Sequence, residues 1–241
     1  MRQVIGIHST MEVLKVRPRS IKRLVFRQGY EESKDLQVIA REASRYNLKL
    51  EKQNVGFLDR IGSGHQGVML EVSETPTLDW KSLRSSSQSL LLALDGLEDP
   101  NNLGSILRSA WLFGVSGILT PANRAVGLTP TVQKVASGGA EHVPIDIHPN
   151  LLNPLKDLKD LGFWVFGLSG ESTKSLWDLK ISKKVIWVTG SEESGIKAPI
   201  KGICDEMISI PQIENGPSFN AGVATAIAIA ETRRQWFENK Q

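Results

Sequence analysis

The sequence predicts an α/β protein with two parts: a small N-terminal α/β domain and a larger C-terminal domain built on a parallel sheet. Three observations carry this expectation. Short continuous apolar runs such as "LLLALD" and "VIWVTG" alternate with helical patterns across the C-terminal two thirds, as they do where a parallel sheet is covered on both faces. Residues 4–72 carry a shorter alternation of their own. Between the two, "SETPTLDWKSLRSSSQS" loses periodicity and fills with Ser, Thr and Pro, as linkers do. The expected boundaries are a domain over 1–75, a linker over 76–88 and a second domain over 89–241.

In chain order, the first part reads as a helix over Ser9–Val16, the strand "IKRLVFR", a helix over Lys34–Tyr46, and strands near Leu48–Leu50 and Val68–Val72. The second part reads as "LLLALD", a helix over Leu103–Phe113, "GILT", a helix near Thr131–Ser137, "FWVFGL", "VIWVTG", "MISI" and a last helix over Phe219–Trp236. In such sheets ligands bind beyond the carboxyl ends of the strands, so the loops after strands are where chemistry is expected.

Composition narrows the function classes. With 241 residues, 40% hydrophobic and 23% charged, the chain is an ordinary globular protein, long enough for one large core or two modest ones. Its longest apolar runs, over 90–94 and 221–230, fall short of the ~20 residues a membrane helix needs. The start "MRQVIGIHST" lacks the apolar core of a signal peptide, and Cys204 is the single cysteine, so a reducing cytoplasm is expected. The four histidines, at 8, 65, 142 and 148, show no metal-ligand spacing, and no metal is expected. No G-x-S-x-G elbow, phosphate-loop GK[ST] or dinucleotide glycine fingerprint occurs.

The net charge of +3 is unevenly spread: residues 1–75 hold 13 Lys and Arg against 9 Asp and Glu. The excess gathers in "KVRPRSIKRLVFR", where Lys15, Arg17, Arg19, Lys22, Arg23 and Arg27 follow one another without an acid. Such a cluster can neutralise nucleic-acid phosphates; it can equally be a solvated face.

Three loops after strands carry unusual polar content. In "LDGLEDPNNLGSILRSAWLFGV", Asn101 or Asn102 is a candidate helix cap, Leu103, Ile106, Leu107, Ala110 and Trp111 form an apolar stripe, and Arg108 in the second turn lies off that stripe. In "VIWVTGSEESGIK", a buried strand runs into Gly190, Glu192, Glu193 and Gly195. In "NGPSFNAGVATAIAIAE", Ser218 reads as the cap of the last helix, and Asn220 as a first-turn residue whose amide bonds something outside the helix.

Together, "DPNNLGSILRSAWLFGV", "VTGSEESGI" and "ISIPQIENGPSFNAGVATAIAIAE" resemble, in order, the three motifs of the SpoU-type RNA 2'-O-ribose methyltransferases of the SPOUT superfamily. "VIGIHSTMEVLK" and "GSGHQGVMLEV" look like that family's N-terminal substrate-binding domain. The resemblance implies a C-terminal domain with a deep trefoil knot, a homodimer, and methyl transfer from S-adenosylmethionine to a ribose 2'-hydroxyl in ribosomal RNA, most plausibly 23S. Transfer RNA is the alternative substrate, and a non-catalytic RNA-binding or ribosome-assembly protein is the alternative of another class. The resemblance places Asn102, Arg108, Glu192, Ser218 and Asn220 on the catalytic positions, and Leu168, Gly190, Ile210 and Phe219 on those that hold the methyl donor. It departs at Phe219, where the family usually carries Leu. It also gives the basic run a purpose: Lys15, Arg17, Arg19, Lys22, Arg23 and Arg27, with His65 and Gln66, become candidate RNA contacts.

Overall fold

A computed structural model of the chain describes residues 1–73, 75–214 and 216–238. The first sheet takes β1 (Arg2–Ile5), β2 (Ile21–Arg27), β3 (Leu50–Gln53) and β4 (Val68–Val72) in the order β1-β4-β2-β3. β4 runs antiparallel to both neighbours, while β2 and β3 are parallel. Helices α1 (Ile7–Val16) and α2 (Lys34–Ser44) cover one face around Val4, Leu24, Phe26 and Leu70. The short α3 (Val55–Asp59) lies on the other, where Leu58 packs with Ile5, Val25 and Met69.

The second sheet is parallel throughout. Its order is β10-β8-β9-β5-β6-β7, from β5 (Ser89–Asp95), β6 (Gly117–Pro121), β7 (Ile145–His148), β8 (Trp164–Leu168), β9 (Lys184–Gly190) and β10 (Glu206–Ile208). Successive side chains point to opposite faces. Leu90, Leu92 and Leu94 therefore join the core under α5 (Pro100–Leu112), α6 (Pro130–Ala136) and α9 (Ala221–Glu238), while Leu91 and Ala93 face α7 (Leu152–Asp160) and α8 (Ala198–Lys201). Burial on both faces is why these strands read as unbroken apolar runs.

Where the last helix meets β9, buried polar side chains pair with one another, as burial favours. Trp187, fully buried on β9, donates its indole N–H to Thr232 Oγ1 of α9 at 2.9 Å. About two turns earlier on the helix, Thr225 meets Thr189 hydroxyl to hydroxyl at 2.8 Å. The Ala-rich last helix is thus fastened to β9 at two depths. Gly139 opens a 3-10 turn, Gly139–Glu141, that lies directly on the backbone of α5; a Cβ there would stand 2.6 Å from the Leu107 carbonyl oxygen.

Several elements differ from expectation. β1, β7, α3, α7 and α8 are additional, and β3 lies at Leu50–Gln53 rather than Leu48–Leu50. The stretch expected to be structureless linker holds α4 (Trp80–Ser85), capped by Asp79 Oδ1, which accepts from the N–H of Lys81 and Ser82. α4 buries Leu83 in the second domain's core, and Trp80 donates to Asp146 Oδ2 at 2.8 Å. Its two apolar anchors are too few to give a helical period. Glu74, in that stretch, lies outside the described residues.

Candidate active site

The second sheet has its topological switch between β5 and β9. From β5 the chain moves outward through β6 to β7, then crosses back to β8 and β9 on the other side. Open α/β sheets bind ligands at such a point, outside the carboxyl ends of the strands. Asp95 and Gly190, the last residues of the two strands, face one another in register.

After β5, Gly96 at φ +81° turns the chain, Asp99 caps α5 by accepting from the Asn101 N–H at 2.9 Å, and Pro100 takes the first helical position. The cap is therefore Asp99 and not Asn101 or Asn102. That start frees the Asn102 side chain, which is buried and turned toward β9.

After β9 the loop folds onto itself. A Cβ on Gly190 would lie 2.1 Å from the Gly195 carbonyl carbon, so only glycine permits the closure. Ser191 and Gly195 exchange backbone hydrogen bonds, and the Ser194 N–H donates to Ser191 Oγ. Buried Asp95 anchors the loop's far end: its carboxylate accepts from the Lys197 N–H at 2.8 Å and from Lys197 Nζ at 3.1 Å.

Glu192 stands near the tip of this loop. Its Oε1 accepts from Asn102 Nδ2 at 2.6 Å and from Asn220 Nδ2 at 2.9 Å. Three segments far apart in sequence so converge on one carboxylate oxygen. Asn220 uses its other amide atom to cap α9, Oδ1 accepting from Gly222 N at 2.9 Å and Val223 N at 3.3 Å. The helix starts at Ala221, which corrects the expectation that Ser218 is the cap and that Asn220 sits inside the first turn. The expectation that the Asn220 amide reaches outside its helix agrees with the bond to Glu192.

Beside this cluster opens a cleft of about 490 Å³, lined among others by Leu168, Gly190, Ile210, Phe219, Ser218 and Glu192. Apolar walls from Leu168, Ile210 and Phe219 with polar groups at one end suit a small organic ligand. Ser218 and Phe219 are both exposed at the mouth. Arg108 is placed elsewhere. It lies in the third turn of α5, ~9 Å along the axis from Asn102 at 1.5 Å per residue, with its side chain exposed and outside the cleft lining. Among the described residues, no group of three or more His, Cys, Asp or Glu is placed to hold a metal ion, and no helix is long and apolar enough to cross a membrane.

The candidate RNA contacts divide by what they touch. Arg17 pairs with the buried Glu141 carboxylate, and Arg23 with Glu51 and Glu71 at 2.9 and 3.4 Å. Lys15 pairs with Glu12 at 2.7 Å yet stays largely exposed, and the Arg27 stem packs beside Gly67. His65 accepts from the Gly67 N–H on Nδ1, which leaves Nε2 to donate to Asp59 at 3.0 Å. Gln66 accepts from the Ile7 N–H at 3.0 Å, serving the start of α1. Arg19 and Lys22 are exposed. Asp95 and Lys197 were missed by sequence reasoning; an acid ending a strand was the signal, but its partner lies 102 positions away.

Comparison with known proteins gives a consistent result. Residues 89–230 match the SpoU rRNA Methylase family, and residues 3–78 match the family described as RNA 2'-O ribose methyltransferase substrate binding. A Pseudomonas aeruginosa protein named 23S rRNA (guanosine-2'-O-)-methyltransferase RlmB is 34% identical, over 97% of this chain and 96% of its own length. A protein of the same name from Neisseria meningitidis serogroup B is 34% identical over 97% and 95%. The solved structure of the SpoU methyltransferase AviRb from Streptomyces viridochromogenes, in complex with AdoMet, shares the fold: TM-score 0.83 at 21% identity, over 98% of this chain and 90% of that one.

The reassigned cap gives a direct expectation for urea unfolding. Asn220→Ala, which removes both the cap and the bond to Glu192, should lose at least about 1 kcal/mol, and Ser218→Ala nothing measurable. A larger loss for Ser218→Ala than for Asn220→Ala would return the cap to Ser218.

Proposed function

This chain belongs to the SpoU rRNA methylase family, and from that premise we propose that it transfers a methyl group from S-adenosylmethionine to the ribose 2'-hydroxyl of one guanosine in 23S ribosomal RNA. The observation that carries the proposal is the convergence of Asn102, Glu192 and Asn220 at the rim of the cleft. The cleft suits the donor: Leu168, Ile210 and Phe219 offer apolar walls for a nucleoside, and Gly190 bare backbone. Phe219 in place of the family's usual Leu still lines that wall. A cytoplasmic site of action follows from a ribosomal RNA target.

S-adenosylmethionine, when bound, supplies a methyl group already activated on a sulfonium. The protein's share is positioning, and help in removing the hydroxyl proton. Glu192 fixes both asparagine amides, so the rim reaches the ribose with its polar groups set in advance. Ser218 adds a hydroxyl at the mouth. Arg108 is assigned to hydrogen bonding and stabilisation of negative charge developing on the 2'-oxygen; a guanidinium that stays protonated is a poor base.

Arg108 lies outside its own chain's cleft lining, which supports a homodimer in which it serves the partner's cleft. Leu112, one turn on and on the same helical face, is exposed, as are Phe113 and Val223 near the start of α9. An interface over these apolar groups would cover them and carry Arg108 across. We also assign the deep trefoil knot to the C-terminal domain. In its favour, β10 and the residue after it lie along 172–176, where Ser209 N donates to the Lys174 carbonyl and Leu176 N to the Ser209 carbonyl, before the chain returns to α9. Residues 1–75 are assigned to substrate RNA, 76–88 to the linker and 89–241 to methyl transfer. Exposed Lys15, Arg19 and Lys22 are the foremost phosphate contacts; Arg17, Arg23, Arg27, His65 and Gln66 act behind them by holding the surface in shape.

Mapping ribose methylation across total RNA, with and without the protein, tests the function: one 23S guanosine should lose its signal. A lost transfer-RNA signal would favour the alternative substrate, and no lost signal the non-catalytic alternative. In purified form, Arg108→Ala and Glu192→Ala chains should each be strongly impaired alone and regain up to about a quarter of the parent activity when co-assembled, because half of the dimers are then mixed and each of those holds one intact site of two; no recovery would refute the shared site. In filter binding, Arg19→Ala with Lys22→Ala should lower the slope of log affinity against log salt by about 2, and an unchanged slope would exclude this surface.

A further inference from the structure

The boundary between the two domains is densely paired. Glu141, at the end of the 3-10 turn on α5, has a side chain only 1% exposed, and both residues gripping it come from the N-terminal domain. Arg2 donates to both carboxylate oxygens at 2.7 Å, in the two-pronged geometry a guanidinium offers, and Arg17 adds a further contact to Oε2. A second fastening joins α1 and the residue after the turn: Glu12 Oε2 meets His142 Nε2 at 2.8 Å, and the His142 ring stacks on Trp111 of α5 at 4.2 Å and 9°. A third lies on α6, where the buried Gln133 side chain donates from Nε2 to the Gln3 carbonyl at 2.5 Å and the Gln133 backbone carbonyl accepts from Ser9 Oγ at 3.2 Å. Around these the chains touch closely: a Cβ on Gly62 would stand 3.0 Å from Pro130 Cβ. The connecting segment is anchored too, through Leu83, Leu78 against Gly117, and the Trp80 bond to Asp146.

We propose that the two domains act as one rigid body, with Glu141 as the positioning residue that sets the angle between the N-terminal domain and the cleft. The proposal rests on the reading of the N-terminal domain as an RNA-binding part, and deepens it. RNA would be held across a fixed span, so that a phosphate contact on one domain fixes which ribose reaches the other. A buried carboxylate bound by a guanidinium on both oxygens permits one relative orientation and few neighbours. The same turn lies on the backbone of α5, the helix that carries Asn102 and Arg108, so Glu141 ties the substrate domain to a helix of the active site.

The test uses the full-length protein with Cys204→Ser and a cysteine pair, Gly62→Cys with Pro130→Cys, whose Cβ atoms lie near disulfide range. Methyl transfer to 23S rRNA by the oxidised protein should match the reduced protein within twofold, with the same radius of gyration in X-ray scattering. A tenfold loss on oxidation that reductant restores would show that the domains must swing, and would overturn the proposal. Glu141→Gln in the reduced pair should raise the KM for rRNA at least tenfold, leave kcat within threefold and the affinity for S-adenosylmethionine unchanged, and increase the radius of gyration. Oxidation should then restore the KM. An unchanged KM, or one that the disulfide does not restore, refutes Glu141 as a positioning residue. Should the parent protein transfer no methyl group to any RNA, the functional reading fails, while scattering still decides whether the domains are locked.

Discussion

One carboxylate oxygen organises the cleft end of this molecule. Glu192 Oε1 takes an amide proton from Asn102 on α5 and another from Asn220 at the start of α9, and nothing nearer in sequence could bring those helices to a common point. The surrounding structure is what keeps that oxygen in place. β5 and β9 are adjacent and in register to their last residues, Gly190 lets the loop close on Gly195, and Asp95 pins the loop's far end through Lys197. Each bond alone would contribute modestly, about 0.5–1.5 kcal/mol for a typical hydrogen bond and about 1.5–3 kcal/mol where one group is charged. Their value lies in geometry: a shared acceptor cannot move toward one asparagine without leaving the other.

Asn220 shows how economically the site is built. Its carbonyl oxygen caps a helix and its amide nitrogen holds the Glu192 carboxylate, so the fold and the rim of the cleft depend on the same side chain. That dual use explains why the sequence was only partly legible here. Both Ser218 and Asn220 are good caps by residue type, and the choice falls to Asn220 because the chain must reach Glu192 before it turns helical. At α5 the same ambiguity resolved toward Asp99, which released Asn102 for the site.

The central strands were legible because burial on both faces leaves an unbroken apolar run, a signal that short edge strands lack. β7 has half-buried residues and an exposed Ile147, and β1 has four residues with two of them buried. The three motif loops could be read from residue type and order, yet the contacts between them span 90 and 28 positions and leave no local trace. The basic run was legible as a cluster but not as a division of labour. Arg17 and Arg23 face acids from other elements, while Arg19 and Lys22 are exposed. Charge counted along the chain cannot separate those roles, since the partner acids lie between 28 and 124 positions away.

If the three residues at the rim work as a unit, their losses in turnover should not add. The most direct measurement is kcat for Glu192→Ala, Asn220→Ala and the double variant, each at saturating RNA and S-adenosylmethionine. With Glu192 removed, the Asn220 amide has lost the group that it positions and that positions it, so the double variant should be no more than about threefold slower than Glu192→Ala alone. Losses that multiply, the double variant slower by the product of the two single effects, would show independent residues and contradict the account of a shared carboxylate.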